Sequence, residues 1–534
     1  MRFSPSILVL VAVLAGSSAA LAQHEGHEAP GSVPREILER PLAIRQGIGV
    51  AHETVTTPSP EAQAFYDQGL AYLHSFVWIE AARSFHQALR LDSSLAMAHL
   101  GLSDAYIGLQ DVSSARDEFE KAQSLSQKLS DGERQRIAIC ARQMEYLEEP
   151  SNLQKYFAYR QAITDALKAA PDDPWLWILR GFADEGSPFA HGQGGGADTI
   201  AFYETALAFS PDNFAAHHYL AHTYENLGLA KQALEQSEAY ERLAPSIPHA
   251  HHMVGHDLRR LGRTEDAIEE FLKAEKLENA YYEAEKIPAR YDWHHAHNLN
   301  LLAMCYQALG QMKAAEATYR EAFALPAFVD MADYNRKSWP EFLLDQDRPQ
   351  EALAAAQELV ESRWPLARFA GHALSGQALL AMDRADDAGQ ELSLAEQESE
   401  HIPAAVVGKL PSAAILRAEL LVRGNRFDQA NTLMGQIEDQ IEAEPGPDAW
   451  SEALFQLESI SRIARKLGDW DLAESSARRM VRHDPSYAGG YYALGLVADH
   501  RGNSAESRQE FATAEKLWAK ADPEVHRSRF QSHN

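Results

Sequence analysis

The sequence has very few cysteines: only Cys140 and Cys305 occur in 534 residues. Neither belongs to a C-x-x-C pair or to a C-x-x-C-H haem-attachment site. The chain therefore has at most one disulfide bridge and no common cysteine-based redox or metal motif. We expect both cysteines to behave as small, buried apolar residues.

Positive charge, long apolar runs and known catalytic motifs are also scarce. The chain has 49 Lys and Arg against 77 Asp and Glu, a formal net charge of -28, which disfavours nucleic acid as a partner. Beyond the first 22 residues no stretch is apolar enough to cross a membrane. The G-x-S-x-G elbow, the G-K-[ST] phosphate loop and the H-E-x-x-H zinc motif are all missing. These absences favour a protein without enzymatic activity but leave metal-dependent catalysis open.

The N-terminus has the features of a secretory signal peptide. In "MRFSPSILVLVAVLAGSSAALA", Arg2 is followed by an apolar run from Ile7 to Ala15 and by an A-x-A cleavage site at Ala20–Ala22. The apolar run is too short for a spanning helix. Residues 1–22 are thus predicted to be removed, leaving an exported protein, periplasmic or extracellular, that is soluble and begins at Gln23.

Internal repeats of 34 residues determine the fold prediction. Small, aromatic and turn-forming residues recur at this interval: Ala81, Phe85 and Ala88 as Ala115, Phe119 and Ala122; Pro211, Gly228 and Ala233 as Pro245, Gly262 and Ala267; Gly468 as Gly502. The apolar residues between them follow helical spacing, and no alternating strand pattern persists. A helix-turn-helix unit of this length resembles the tetratricopeptide repeat.

The resemblance to the tetratricopeptide family extends from about Pro60 to about Lys520, and it implies an all-α, right-handed superhelical solenoid. "HHYLAHTYENLGLAKQALEQSEAYERLAP" and "YYALGLVADHRGNSAESRQEFATAEKLW" are its best repeats. We expect six sections: the signal peptide 1–22, a flexible lead-in 23–58, N-terminal repeats 60–170, central His-rich repeats 171–330, C-terminal repeats 331–522 and a frayed tail 523–534.

The central repeats carry histidines in register. In "PHAHHMVGHDLRRLGR", His252 and His256 are four residues apart and share one helical face. When the repeats are aligned on Gly228 and Gly262, His218 and His222 occupy the same two positions one repeat earlier. These positions line the concave face of a solenoid. The register predicts His218, His222, His252 and His256 as ligands of a transition metal, Zn, Cu, Ni or Fe.

Six further residues are predicted to bind a ligand beside this cluster. The register assigns five of them to the same face and the loop "SPFAHGQGGGADT" supplies the sixth: Glu185, Glu225, His249, Arg259 and His297, with His191 from the loop. The loop is interpreted as a flexible insertion between repeats or as a lid over the site. A single H-x-x-x-H pair at such positions is more often an exposed polar surface, but two pairs in adjacent repeats favour a site.

A narrower resemblance concerns the same histidines. "AAHHYLAHTYE", "HAHHMVGHDLRRLGR" and "YDWHHAHNLNLLA" are similar to blocks in a group of exported bacterial tetratricopeptide proteins and in the eukaryotic tetratricopeptide repeat protein 38 type. The resemblance implies that His218, His222, His252, His256 and His297 belong to one shared site, although it implies no particular activity. The chain differs from the group's H-M-P-S-H block at Val254 and Gly255.

Three functions remain open at this point. The first is an exported binding scaffold whose His cluster holds a metal or another ligand, with protein or peptide partners in its concave groove. The second is a protein-interaction scaffold without metal, in which the histidines are polar or pH-sensitive contacts. The third is a metal-dependent hydrolase-like enzyme with Glu225 as its base.

Overall fold

The structure is a computed structural model, and it describes residues 33–187, 189–325, 327, 330–443 and 446–525. These residues form helices joined by turns and contain no β-strand, which confirms the all-α prediction. No helix in the described part of the chain is long and apolar enough to span a membrane. The predicted signal peptide 1–22 lies outside the described residues.

The chain divides into two compact units, which are described separately. The first contains Met1–Asp257 and Lys276–Ile287, and the second contains Leu258–Glu275 and Pro288–Asn534. The division falls within two helices, Pro248–Arg260 and Thr264–Glu285. The predicted boundary near residue 170 therefore lies inside the first unit, and the one near residue 330 lies inside the second.

The helices are numbered in chain order. As far as α13 they are α1 (Arg35–Leu38), α2 (Pro60–Leu73), α3 (Trp78–Leu91), α4 (Ala96–Gly108), α5 (Val112–Ser124), α6 (Asp131–Glu148), α7 (Leu153–Ala169), α8 (Pro174–Asp184), α9 (Ala197–Phe209), α10 (Phe214–Asn226), α11 (Ala230–Leu243), α12 (Pro248–Arg260) and α13 (Thr264–Glu285). From α14 onward they are α14 (Trp293–Ala308), α15 (Met312–Ala324), α16 (Asp330–Asn335), α17 (Ser338–Asp345), α18 (Pro349–Val360), α19 (Pro365–Ala381), α20 (Ala385–Ser399), α21 (Ala404–Val407), α22 (Pro411–Arg423), α23 (Phe427–Ala443), α24 (Pro447–Leu467), α25 (Trp470–His483), α26 (Ala488–His500) and α27 (Ser504–Leu517). Short 3₁₀ turns occur at Ser126–Lys128 and Ala289–Tyr291.

Consecutive helices pack as hairpins because small residues on one helix receive a ring from the next. A Cβ atom added to Gly69 in α2 would lie 2.5 Å from the Phe85 ring of α3, and one added to Gly181 in α8 would lie 2.4 Å from the Tyr203 ring of α9. Phe85 and Tyr203 are fully buried. The aromatic ring and the missing side chain together set the helix separation, and any larger residue at either glycine would force the pair apart.

The first helix of most hairpins ends in a residue with left-handed backbone. Glycine, asparagine or aspartate occupies most of these turns, as their low steric cost predicts: Gly186, Gly228, Gly262, Gly310, Asp347, Asp383, Asn425, Gly468 and Gly502, with Gln110 and Phe76 as the exceptions. Phe76 has a φ of 59° and is a bulky side chain where the backbone favours glycine, at a cost of about 1–2 kcal/mol.

A hydrogen bond from the first helix of a hairpin to the preceding proline recurs along the chain. The donors are the side chains of Trp177, His217, His251 and Tyr491, and each reaches the carbonyl of the proline six residues earlier, Pro171, Pro211, Pro245 or Pro485, over 2.9–3.1 Å. This carbonyl follows the end of the preceding helix, where helical partners are lacking. His217 and His251 are therefore structural, as their register predicts.

The segment predicted as a flexible lead-in is ordered where the structure describes it. In residues 33–58, Val33, Ile37 and Val55 are buried. The fully buried guanidinium of Arg83 donates to the carbonyls of Arg40 and Pro41 at 3.1 and 3.0 Å. The flexibility prediction is wrong for these residues, because their apolar side chains and backbone acceptors complete the first unit. The predicted frayed tail lies outside the described residues beyond Val525.

We expect Gly502→Ala to destabilise the protein and Gly389→Ala to stabilise it. At both glycines an added Cβ would meet no atom within 4 Å, but Gly502 has a φ of +72°, whereas Gly389 lies within α20. The first change should lower the free energy of unfolding by about 1 kcal/mol and the second raise it by roughly 0.5–1 kcal/mol. Urea unfolding measures both, and equal effects of the two substitutions would contradict the backbone explanation.

Candidate histidine site

Two helices of the first unit carry the histidines. Asn213 caps α10 by accepting a hydrogen bond from the amide of Ala216 at 3.0 Å, which fixes where the helix starts and so which face His218 and His222 share. The histidines on α12 are His249, His252 and His256. Exposure of these five side chains runs from 0% at His218 and His252 to 9% at His222. All five histidines are therefore buried, which the repeat register alone did not predict.

Three of the imidazoles converge. The Nε2 atom of His218 lies 3.1 Å from Nε2 of His222 and 3.0 Å from Nε2 of His249. One ring nitrogen from each residue lies within 4.8 Å of the other two. The geometry thus brings His249, which the sequence placed at a neighbouring level, together with His218 and His222.

The remaining pair lies beside this triad. The rings of His252 and His256 are 4.2 Å apart between centroids, and the His249 ring is stacked 5.6 Å from that of His252. Nδ1 of His256 is 3.2 Å from one oxygen of Glu225, and Nδ1 of His222 is 3.2 Å from the other. Glu225 therefore joins the α10 histidines to the α12 histidines through one carboxylate.

Glu225 is ionised in this setting. Burial alone would raise the pKa of its carboxyl, but hydrogen bonds from His222 and His256 and their charge outweigh burial and hold the pKa at about 2. An ionised carboxylate can only accept hydrogen bonds, so the nearby Nδ1 atoms of His222 and His256 donate to it.

The ring of His218 is fixed in the same way. Its Nδ1 lies 2.8 Å from the backbone carbonyl of His74, an acceptor, so Nδ1 carries the proton and Nε2 carries a lone pair. Burial, helped by the neighbouring His222, keeps the pKa of His218 well below its usual range, so the ring is neutral. His218 and His222 therefore both donate through Nδ1. Their Nε2 atoms face each other at a distance of 3.1 Å. A hydrogen bond between two such nitrogens requires a proton on one Nε2 atom, which would make that imidazole cationic.

An aromatic cover closes the triad. The Phe76 ring lies 4.6 Å from His218, 6.0 Å from His222 and 5.3 Å from His249 between centroids, and the Tyr240 ring stacks 4.6 Å from His218. The unfavourable backbone of Phe76 is thus offset by aromatic contacts. The sequence analysis did not predict this cover. Phe76, an aromatic residue at a turn position that usually favours glycine, could have indicated it.

His191 and Glu185 bond to groups outside the triad. His191 Nδ1 bonds the carbonyl of Phe189 at 2.6 Å and its ring packs 5.2 Å from Trp78. Glu185 accepts from the amide of Gly194 at 3.0 Å and from Tyr203 at 3.3 Å. Burial raises the pKa of Glu185 to about 8 despite these bonds.

The loop containing His191 joins α8 to α9, the two helices of one hairpin, so the prediction of an insertion between repeats is wrong. It packs on α10: a Cβ at Gly192 would lie 2.1 Å from the Tyr219 ring, and Asn226 donates to the carbonyls of Gln193 and Gly195. The glycines thus allow the backbone of the loop to lie close against α10, where a side chain would collide.

Arg259 and His297 belong to the second unit. Arg259 pairs with Asp484 at 2.7 Å and lies 5.0 Å from the Trp450 ring centroid. His297 lies 3.8 Å from Asp448 and stacks on Trp293 at 5.9 Å. The guanidinium of Arg259 is therefore engaged by a buried carboxylate.

Comparison with known proteins addresses the repeats. Sequence models described as tetratricopeptide repeat match residues 78–130 and 460–523, residues 202–235, and residues 296–327. The match at 202–235 includes His218 and His222 on α10. The chain contains tetratricopeptide repeats in these segments. No curated protein matches it.

The chain is also similar to several solved structures at low sequence identity. A human IFIT1 dimer with m7Gppp-AAAA is 13% identical, with 87% of this chain and 92% of that chain covered and a TM-score of 0.34. YrrB, a TPR protein with an unusual peptide-binding site, is 15% identical over 37% and 92%, with a TM-score of 0.26. Pseudomonas aeruginosa PilF is 20% identical over 46% and 94%, with a TM-score of 0.26. At such TM-scores nothing about partners follows.

We expect the stability of the protein to fall below pH 6.5, partly through His74. Burial lowers the pKa of His74 from 6.5 to about 3, so between these values the unfolded chain binds a proton that the folded chain excludes. Stability is therefore lost as pH falls, by about 2 kcal/mol at pH 5 for this residue. Urea unfolding of His74→Gln at pH 7.5 and 5 should show a smaller loss than the parent. The exposed His401→Gln should show the parent's loss, and an unchanged loss in His74→Gln would contradict the assignment.

Proposed function

We propose that this protein is an exported tetratricopeptide scaffold whose first unit binds one transition-metal ion through His218, His222 and His249. The observation that carries the proposal is the pair of Nε2 atoms, on His218 and His222, that face each other at 3.1 Å while both rings donate through Nδ1. A metal ion accepts lone pairs from both nitrogens, which removes their repulsion.

The distances support a small tetrahedral ion. Zn–N bonds of about 2.1 Å in a tetrahedron separate the ligand nitrogens by roughly 3.4 Å. The separations of 3.0 and 3.1 Å between the Nε2 atoms of the triad are close to this value. Three imidazoles leave a fourth position for a further ligand, and neutral imidazole suits Zn, Cu, Ni and Fe.

The surroundings of the triad support the same proposal. Metal-bound histidines usually donate their other ring nitrogen to a carboxylate or a backbone carbonyl, which fixes the tautomer. His222 has Glu225 in this role and His218 has the His74 carbonyl. The ionised Glu225 is buried and would be compensated by a cation close to it.

The alternatives differ in what lies between the nitrogens. In a metal-free interaction scaffold a proton on His222 would bridge to His218, with Glu225 as its counter-ion. The hydrolase alternative fits less well, because a general base works best with a pKa near the operating pH and that of Glu225 is about 2. In either scaffold the partners are proteins or peptides in the groove of the repeats.

The metal proposal is tested by elemental mass spectrometry of untagged protein and by Zn²⁺ titration at pH 7.5. The parent should bind one ion per chain, and the His222→Ala variant and the His218→Ala, His249→Ala double variant should lose it, because each removes ligands from the triad. Circular dichroism should confirm that helix content is kept.

His372→Ala is the matched control. His372 is 9% exposed, as His222 is, and its Nδ1 also lies beside a glutamate, Glu391, at 2.7 Å. This variant should bind metal as the parent does. If the parent protein contains no metal and shows no binding when titrated with Zn²⁺, Cu²⁺ or Ni²⁺, the metal proposal is wrong. The metal-free scaffold would then be the function.

Export is tested separately. The charged residue, apolar run and A-x-A site at residues 1–22 support cleavage before Gln23. N-terminal sequencing of the protein from the medium or periplasm should begin at Gln23 or its cyclised form. Recovery with Met1 intact would contradict the export proposal and leave the metal proposal standing.

A further inference from the structure

A second polar site lies in the first unit. Its carboxylate, Asp104, is on α4, which carries no residue of the triad, although Tyr219 of α10 also lines the site. It is a cavity of about 100 Å³ whose wall includes side chains of α2, α4, α6, α7 and α8. The polar and aromatic residues that matter for its chemistry are Glu53, Tyr66, Asp104, Arg136, Tyr159 and Trp175.

Asp104 is the carboxylate without compensation. Burial raises its pKa to about 7, and no cation or hydrogen-bond donor among the described residues acts in the opposite direction. By contrast, Asp92 accepts from Thr57 and Ser94, and its pKa is lowered. A carboxylate that faces a cavity with no protein donor is unfavourable unless something in the cavity supplies one.

The charges of the cavity wall sum to a negative value. Arg136 is ion-paired with Glu53, which also accepts from the Tyr66 hydroxyl at 2.9 Å, so these two charges cancel. His74 and His191 also face the cavity. Burial lowers the pKa of His74 to about 3 and that of His191 to about 4, so both are neutral near pH 7. Above its pKa of about 7, Asp104 carries the one charge left over among the lining residues.

Aromatic rings complete the environment for a cation. Tyr66 and Tyr159 lie close enough to Asp104 for its charge to raise their pKa values, together with burial. Trp175, stacked on His74 at 4.7 Å, forms another part of the wall. Ring faces attract cations, most strongly where water is excluded.

We propose that this cavity binds a small organic cation with a protonated primary amine, whose ammonium group pairs with Asp104 between the rings of Tyr66 and Tyr159. A cavity of about 100 Å³ has room for roughly seven water-sized groups, which suits an amine of about five non-hydrogen atoms. An anion would face the uncompensated carboxylate, and a neutral alcohol would leave it without a counter-charge. Asp104 is not a residue of the proposed metal site, although His74 and Tyr219, which also line the cavity, contact His218.

The test is isothermal titration calorimetry with n-butylammonium chloride at pH 8, with n-butanol and sodium butyrate as neutral and anionic probes of similar size. EDTA is present throughout, so that the amine cannot report on a metal at the His triad. We expect saturable binding of n-butylammonium, with affinity at least about tenfold above that for n-butanol.

Asp104→Asn removes the charge and keeps the shape, and it should weaken amine binding about tenfold or more. The matched control is Asp117→Asn on α5, where the carboxylate is exposed, and it should bind as the parent does. Equal binding of n-butanol, unchanged binding by Asp104→Asn, or no binding by the parent would overturn the proposal. The comparison of probes uses the unaltered protein, so it holds whether or not the variant folds.

Discussion

The arrangement of the histidines depends on one buried carboxylate, Glu225. It accepts from rings on two different helices, His222 on α10 and His256 on α12, so it fixes both rings while its own charge stays out of water. Removing an ionised partner from such a network leaves the others unsatisfied, which costs more than the bond itself contributes. Glu225 sets the tautomers of His222 and His256, while the His74 carbonyl sets that of His218.

The repeat period made part of this site predictable. Residues four apart on a helix share a face, and residues 34 apart occupy equivalent positions, so His218, His222, His252 and His256 could be assigned to one region. The period also placed His217 and His251 apart from the cluster. The all-α fold followed for the same reason, since small residues and aromatic rings recur at the positions where the helices of a hairpin meet.

Burial could not be predicted from the same pattern. Phe76 and the His74 carbonyl, which both contact the triad, come from the turn after α2, and His74 is 144 residues from His218 in sequence. No local spacing connects these segments, and a register taken from neighbouring repeats treats every concave position as open. The role of His249 also depended on the rotation of its ring, which spacing does not determine. Residues 33–58 are ordered because they supply hydrogen-bond acceptors to a buried arginine, and the sequence pattern does not reveal that contact.

The turn from His74 to Phe76 has a consequence for exchange rates. Because Phe76 packs against all three rings of the triad, opening of this turn would expose the space between them. Its left-handed Phe76 stores backbone strain that opening would release, while opening would also break the bond from His218 to the His74 carbonyl. If the triad holds the proposed ion, its exchange would be coupled to a local opening of the chain, in the way that amide hydrogen exchange is.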